Sequence, residues 1–232
     1  MTEVVVFDYG FGNVRSMMRA LAHIGLEPTL TSNRGQALEA DGLVVPGVGA
    51  FAACMDGLKA VGGDQVILGR LAAGRPVLGV CVGLQIMFTQ GTEGGTACEG
   101  LGVIDGSVDF LDADVVPHMG WDTISVPDDS VILHGIENER FYFVHSYASM
   151  SANISKNRLV SVDPSVSGFD GCRGHAQVPI DDVKNQKVGW CDYGRSHFVA
   201  SYERGPLSAT QFHPEKSGEA GAQLLKNWAA ML

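Results

Sequence analysis

No apolar run in these 232 residues approaches the ~18 needed to cross a bilayer, so no segment reads as a membrane span. Basic blocks are missing too. Sixteen Lys and Arg against 26 Asp and Glu leave a formal charge of −10, which argues against nucleic acid or an anionic membrane as the main partner. Cysteine is sparse: Cys54, Cys81, Cys98, Cys172 and Cys191 form an odd set with no CxxC pair. A disulfide framework or a zinc site is therefore disfavoured; no metal and no cofactor is expected, and a reducing, cytoplasmic setting fits. The opening stretch, MTEVVVFDYG, lacks the basic region and cleavage site of a secretory signal. Internal repeats, low-complexity tracts and linker-like stretches are absent as well, so 1–232 reads as a single domain.

What is present is a globular composition, 45% hydrophobic with 30 glycines. EVVVFD (3–8), GLVVPGVG (42–49) and PVLGV (76–80) read as buried strands. Between them lie helical patterns. Asn13 stands where a cap belongs, before a face of Val14, Met17, Met18 and Leu21, and Gly25 marks the stop. FAACMDGLKAV, DQVILGRLAAG and 82–89 are further predicted helices, and a last one spans about 217–231 with Leu224, Leu225, Trp228 and Met231 on one face. Alternating strands and helices predict an α/β fold with an open, mixed, mostly parallel sheet and helices on both faces. FYFVHSY (141–147), FVASYERG (198–205) and LSATQF (207–212) follow closely enough to predict a more antiparallel portion. The polar stretch 151–187 has weak periodicity and reads as a long irregular excursion, either a lid or docking element or a tolerated surface insertion.

The chemistry concentrates at GVCVGLQ (79–85). A cysteine between Gly79 and Gly83, where a strand turns into a helix, has the form of a nucleophile elbow. There the thiol stands above the carboxyl edge of the sheet, at a helix N-terminus that favours thiolate, with the Val82 N–H aimed at a developing oxyanion. The bland alternative is a buried cysteine in a glycine-rich turn. A thiolate nucleophile also needs a base and an orienting acceptor. ATQFHPEKSG (209–218) offers both: on an extended segment His213 and Glu215 project to one side, and Pro214 keeps His213 out of helical geometry. The alternative there is a surface histidine beside a helix-initiating glutamate.

GVCVGLQ followed by FHPE near the C-terminus resembles the paired signature of the class I (triad) glutamine amidotransferases. DYGFGNVRSM (8–17), VVPGVGAF (44–51), PHMGWD (117–122) and FYFVHSY extend the resemblance along nearly the whole chain apart from 151–187. PHMGW and FVHSY point within that family to the glutaminases that serve imidazole glycerol phosphate synthase. The resemblance implies L-glutamine as substrate, Cys81 as nucleophile, His213 as proton shuttle and Glu215 as its orienter. It implies oxyanion donors at Val82 and in the Gly47–Val48 loop, that loop as it stands or rearranged. It also implies glutamine binding by Gly49, Gln85, His145, Ser146 and Tyr147. The same resemblance implies a (β/α)8-barrel cyclase partner that receives the ammonia, met at Asn13, Met119, Trp121 and Lys216. Each of these has a plainer alternative: Gln85 as an exposed helix residue, HSY as an ordinary strand end, Trp121 as a core aromatic, Lys216 as a solvated charge. A different synthase partner, a free γ-glutamyl hydrolase and a non-catalytic scaffold remain open. The chain departs from the family pattern at Phe11, at Asp122 in place of the usual Asn, and in the long interval between Tyr147 and Gln211.

Overall fold

The computed structural model describes residues 2–154, 159–160, 176–177 and 185–232. The first half runs β1 (Glu3–Phe7), α1 (Val14–His23), β2 (Glu27–Thr31), α2 (Arg34–Glu39), β3 (Gly42–Gly47), α3 (Phe51–Ala60), α4 (Gly63–Ala72), β4 (Val77–Cys81) and α5 (Val82–Gln85). Short strands follow: β5 (Phe88–Gly91), β6 (Cys98–Glu99), β7 (Ile104–Phe110), β8 (His118–Asp122), β9 (Phe141–His145), β10 (Tyr147–Ser149), β11 (Asn153–Ile154), β12 (Leu159–Val160) and β13 (Ala176–Gln177). The chain closes with β14 (Lys187–Tyr193), β15 (Ser196–Arg204), β16 (Leu207–Thr210) and α6 (Gly218–Ala229).

The main sheet has seven strands in the order β14-β15-β16-β4-β3-β1-β2. β16, β4, β3, β1 and β2 are mutually parallel, and β15 and β14 add antiparallel strands at one edge. Val4, Val5, Val6, Leu43, Val44, Val45, Val77 and Leu78 are all fully buried, as expected of parallel strands covered on both faces. The chain steps from β1 to β2 in one direction, then back past β1 to β3 and β4. Right-handed crossovers therefore put α1 on one face and α2, α3 and α4 on the other. The packing agrees: α1 meets α6, while α4 meets α2 and α3.

The predicted antiparallel portion is divided: 198–204 and 207–210 fall in β15 and β16, an antiparallel pair within the main sheet, and 141–145 is β9. A second sheet, β10-β7-β5-β6 with β11 also on β7, has only β5 and β7 parallel. β8 and β9 form a separate antiparallel pair. The predicted helix over 82–89 ends at Gln85. Residues 86–88 instead turn their carbonyls to the amides of Leu101, Ile104 and Gly102, and 88–91 becomes β5. Apolar residues at 84, 86, 87 and 88 serve a buried bend as well as a helix face, which is why the spacing misleads. Most of the excursion at 151–187 lies outside the described residues, Cys172 included. Within it, Asn153–Ile154 pairs with β7, and β12 pairs with β13. Among the described residues no helix is long and apolar enough to cross a membrane.

Two buried polar features hold the layers in place. Arg70, fully buried, donates from Nη1 and Nη2 to the carbonyls of Ala37, Leu38, Ala40, Asp41 and Pro76. It thereby ties α4 to the end of α2 and to the entrances of β3 and β4. Burial, with Arg75 nearby, pushes its guanidinium down to about 10, only partly offset by Asp41. The second feature is an aromatic box behind the β8–β9 pair. His118 stacks on Phe143 and Tyr193 at 4.7 and 4.0 Å, and His145 sits edge-on to Phe198 at 4.9 Å. Burial first, and His118 second, push His145 down to about 3, although its Nδ1 bonds the Tyr147 carbonyl at 3.0 Å. His118 is lowered as well, again by burial, with Asp122 opposing.

Arg70→Met removes five hydrogen bonds at once, although Leu38 keeps Arg75 and Pro76 keeps the Leu43 N–H, and should lower unfolding free energy by about 3 kcal/mol. Urea denaturation checks this; a loss under ~1 kcal/mol would show the carbonyls finding water. The histidines set an acid limit. Between pH 6.5 and about 3 the folded state binds fewer protons at His145 than the unfolded chain does. The contribution of His145 should therefore be complete above pH 6.5 and fall as pH drops toward 3, by roughly 1.4 kcal/mol per pH unit. Unfolding free energies at pH 7.5 and 5, from urea titrations, should differ by about 2 kcal/mol more in the native chain than in His145→Phe; equal differences would refute the assignment.

Candidate active site

Cys81 ends β4 with φ 57° and ψ −111°, and it is the one non-glycine with positive φ among the described residues. Such a backbone costs roughly 1–3 kcal/mol and persists only where its surroundings enforce it. The enforcement is visible. Gly83 lies so tight on the sheet that a Cβ there would strike the Val45 carbonyl oxygen, and one at Gly79 would sit 2.6 Å from the Gly83 oxygen. α5 can therefore start immediately above the sheet edge, leaving the Cys81 side chain at the floor of a cleft.

β16 lies beside β4, with Thr210 paired to Val80. The chain leaving β16 thus reaches the level of Cys81 at once, and His213 follows. Its backbone N–H donates to the Tyr142 carbonyl at 2.9 Å, and its carbonyl accepts from the Ser217 hydroxyl at 2.7 Å. Glu215 does not reach His213 along an extended segment as the spacing predicts. Pro214–Lys216 is a single 3-10 turn, initiated by the proline, which folds the carboxylate back. His213 Nδ1 meets Glu215 Oε1 at 2.9 Å, with both side chains at most 2% exposed. That bond leaves Nε2 toward the thiol. Nε2 is buried with no other partner and lies close enough to interact with the Cys81 sulfur. Burial works against an imidazolium here, but Cys81 and Glu215 together outweigh it and raise His213 to about 10.

A cavity of about 450 Å³ opens above these groups, lined by Val48, Gly49, Ala50, Cys81, Val82, Gln85, Glu93, Val144, His145, Ser146, Tyr147, His213 and Lys216. All the residues singled out for oxyanion and substrate roles thus border one space. Gln85 is buried, not an exposed helix residue; its Nε2 donates to the Tyr147 carbonyl at 2.8 Å. Val48 is held from below by the Cys54 thiol, which donates to its carbonyl at 3.5 Å. Burial raises Cys54 to about 11 and so keeps it protonated. Glu93 has no assignment from sequence: it accepts from the Phe51 N–H at 2.7 Å, in the first turn of α3, while facing the cavity. Nothing local marks it, since only the approach of the 93–95 turn to α3 brings it there.

The four residues proposed to meet a partner cluster unevenly. Asn13 stands at the N-cap of α1 without a side-chain cap bond; its Nδ2 instead donates to Glu215 Oε1 at 3.4 Å. Lys216 lies over the Tyr142 ring at 5.6 Å, and Trp121 packs edge-on to the same ring, with centroids 6.0 Å apart. Trp121 is 52% exposed, so it is not a core aromatic, and Met119 beside it is 65% exposed. Met119 pairs with Val144 and Trp121 with Tyr142, which carries this apolar patch to the rim of the cavity. Phe11 turns away from solvent onto Tyr9 and Gly57. Asp122 pairs with His118 Nε2 at 3.4 Å.

The family model described as glutamine amidotransferase class-I matches residues 5–168. Over 232 residues, covering 100% of both chains, the sequence is 63% identical to the imidazole glycerol phosphate synthase subunit HisH of Bifidobacterium longum (strain NCC 2705). It is 51% identical over 231 residues, 99% of each chain, to the subunit of the same name from Thermobifida fusca (strain YX). Among solved structures, a glutamine amidotransferase superposes with a TM-score of 0.63 at 15% identity, covering 97% of this chain and 98% of that one. PurLQS from Thermotoga maritima superposes with a TM-score of 0.62 at 17% identity, covering 99% and 98%. These two likenesses speak to the fold alone, but together with the family match and the end-to-end identities they leave no ambiguity: the chain belongs to the class-I glutamine amidotransferase family.

Proposed function

We propose that this chain is the glutaminase subunit of an imidazole glycerol phosphate synthase, acting as one domain in the cytoplasm with Cys81, His213 and Glu215 as its triad. The observation that carries the chemistry is the buried His213–Glu215 pair at 2.9 Å beside a thiol on a strained elbow. The choice of synthase is supported by identity over the full length to subunits of that name.

In this reading L-glutamine fills the cavity, bordered by Gly49, Gln85, His145, Ser146 and Tyr147. The Cys81 thiolate attacks the side-chain amide carbon, and the oxygen becomes an oxyanion met by the Val82 and Val48 N–H groups. The tetrahedral species collapses: the C–N bond breaks, the nitrogen takes a proton from His213 Nε2, and ammonia leaves a γ-glutamyl thioester. His213, now neutral, takes a proton from water as the water attacks. Breaking the C–S bond frees glutamate and returns the thiolate with a protonated imidazole. Glu215 holds Nδ1–H throughout, so that Nε2 is always the nitrogen facing the sulfur.

Free ammonia at neutral pH is mostly ammonium and no longer nucleophilic, so the product needs a protected route. The exposed pair Met119 and Trp121 beside Lys216 at the cavity rim, with Asn13 on the far side of the triad against Glu215, suits docking of a (β/α)8-barrel cyclase. That partner would use the ammonia to make imidazole glycerol phosphate and an aminoimidazole carboxamide ribonucleotide.

Co-purification from native extract, with the bound protein identified, tests the partner; capture of a different synthase would overturn this reading. Cys81→Ala should lower glutamine hydrolysis by at least ~10³-fold while the complex still uses added ammonia. His213→Asn should lose more thioester formation in a single turnover than Glu215→Gln, by about tenfold or greater, because a missing base is worse than a misoriented one. Equal or inverted losses would mean the two roles are misassigned.

A further inference from the structure

Gln211 sits between β16 and His213 with 1% of its surface exposed. Its backbone N–H donates to the Ala200 carbonyl at 2.8 Å, which fixes where the side chain starts. The orientation of its carboxamide follows from a chain of partners. The Tyr147 carbonyl can only accept, so the group of Gln85 that meets it at 2.8 Å is the NH₂. That same Nε2 lies 3.1 Å from the end of the Gln211 amide, which must therefore be its oxygen. The Gln211 NH₂ is left facing Cys81, with Nε2 3.6 Å from Sγ. His145 Nδ1, also on the Tyr147 carbonyl, anchors the far end of the chain.

We propose that Gln211 is a positioning residue for the nucleophile, its carboxamide N–H donating to the Cys81 sulfur and favouring the thiolate. A hydrogen bond to a charged acceptor is about twice as strong as a neutral one, so the donor stabilises the anion over the thiol. The arrangement complements His213. The imidazole changes charge within each turnover, whereas a carboxamide never titrates and keeps its proton on the sulfur side at every step. Gln85 is then not only a cavity wall: by spending both amide hydrogens on Tyr147 and Gln211 it locks the donor in place.

This inference rests on Cys81 being the nucleophile, and the test separates the two. The full-length chain is alkylated with iodoacetamide across pH, and modification at Cys81 is followed by mass spectrometry in the native protein, Gln211→Met and Gln211→Glu. Gln211→Met should move the apparent thiol pKa up by about one unit, and Gln211→Glu, which sets an acceptor against the sulfur, by more. Profiles that superimpose on the native one would overturn the proposal even with Cys81→Ala inactive. The second readout needs no change at 211. The Gln211 side-chain amide resonances should shift across the same titration and stay fixed in Cys81→Ala, and resonances that ignore the thiol would also overturn it. If the variants do not melt cooperatively, this readout decides.

Discussion

The close approach of Gly83 to the Val45 carbonyl is the constraint on which the elbow depends. With no side chain at 83, α5 begins directly over the ends of β3 and β4. Cys81 is then forced to φ 57°, a conformation it would leave if the helix could lift away. The strain is local, of order 1–3 kcal/mol, while the valines of β1, β3 and β4 that hold the sheet together are wholly buried. Burying a side chain of that size is worth about 1.5–3 kcal/mol each. Several such residues easily outweigh one strained torsion, so the sheet holds the elbow and not the reverse.

From the elbow, order spreads along hydrogen bonds more than along packing. On one side run His213, Glu215 and Asn13; on the other, Gln211, Gln85, the Tyr147 carbonyl and His145. Both branches are buried, where an unmet polar group is costly and a met one is held in a single orientation. The two branches come from elements far apart in sequence. Their meeting requires β16 to insert beside β4 and the 145–147 segment to close over α5. The cleft is thus a product of strand order, with the apolar patch at Met119 and Trp121 fixed to its rim by the β8–β9 register.

Much of this was legible beforehand, for physical reasons that differ from residue to residue. Glycines two before and two after a cysteine have few purposes other than close approach, so the elbow could be read from spacing. His-Pro-Glu could be read because proline restricts the histidine, although the glutamate arrives through a 3-10 turn and not along a strand. Apolar runs in 3–8, 42–49 and 76–80 read as strands because burial on both faces leaves few polar positions. The helix at 82–89 was overextended because apolar residues in a buried bend satisfy two periodicities at once. Asn13 does stand at the N-cap of α1, but its side chain turns to Glu215, because sequence shows a residue's preference and not the partner that tertiary structure sets beside it.

By itself, then, the sequence determined the fold class and singled out the thiol, imidazole and carboxylate proposed as a triad, since these rest on short-range spacing or local backbone restriction, while the family followed from the resemblance of motifs along the chain. Tertiary structure alone decided that Gln85 faces inward with both amide hydrogens engaged, that Glu93 reaches the cavity, that Trp121 stays in solvent and that Gln211 points its donor at sulfur. These depend on which surfaces face each other across more than a hundred residues in some cases, as between Gln85 and Gln211. No local pattern encodes such a distance, because the partner that fixes each orientation is supplied by the packing of a different layer.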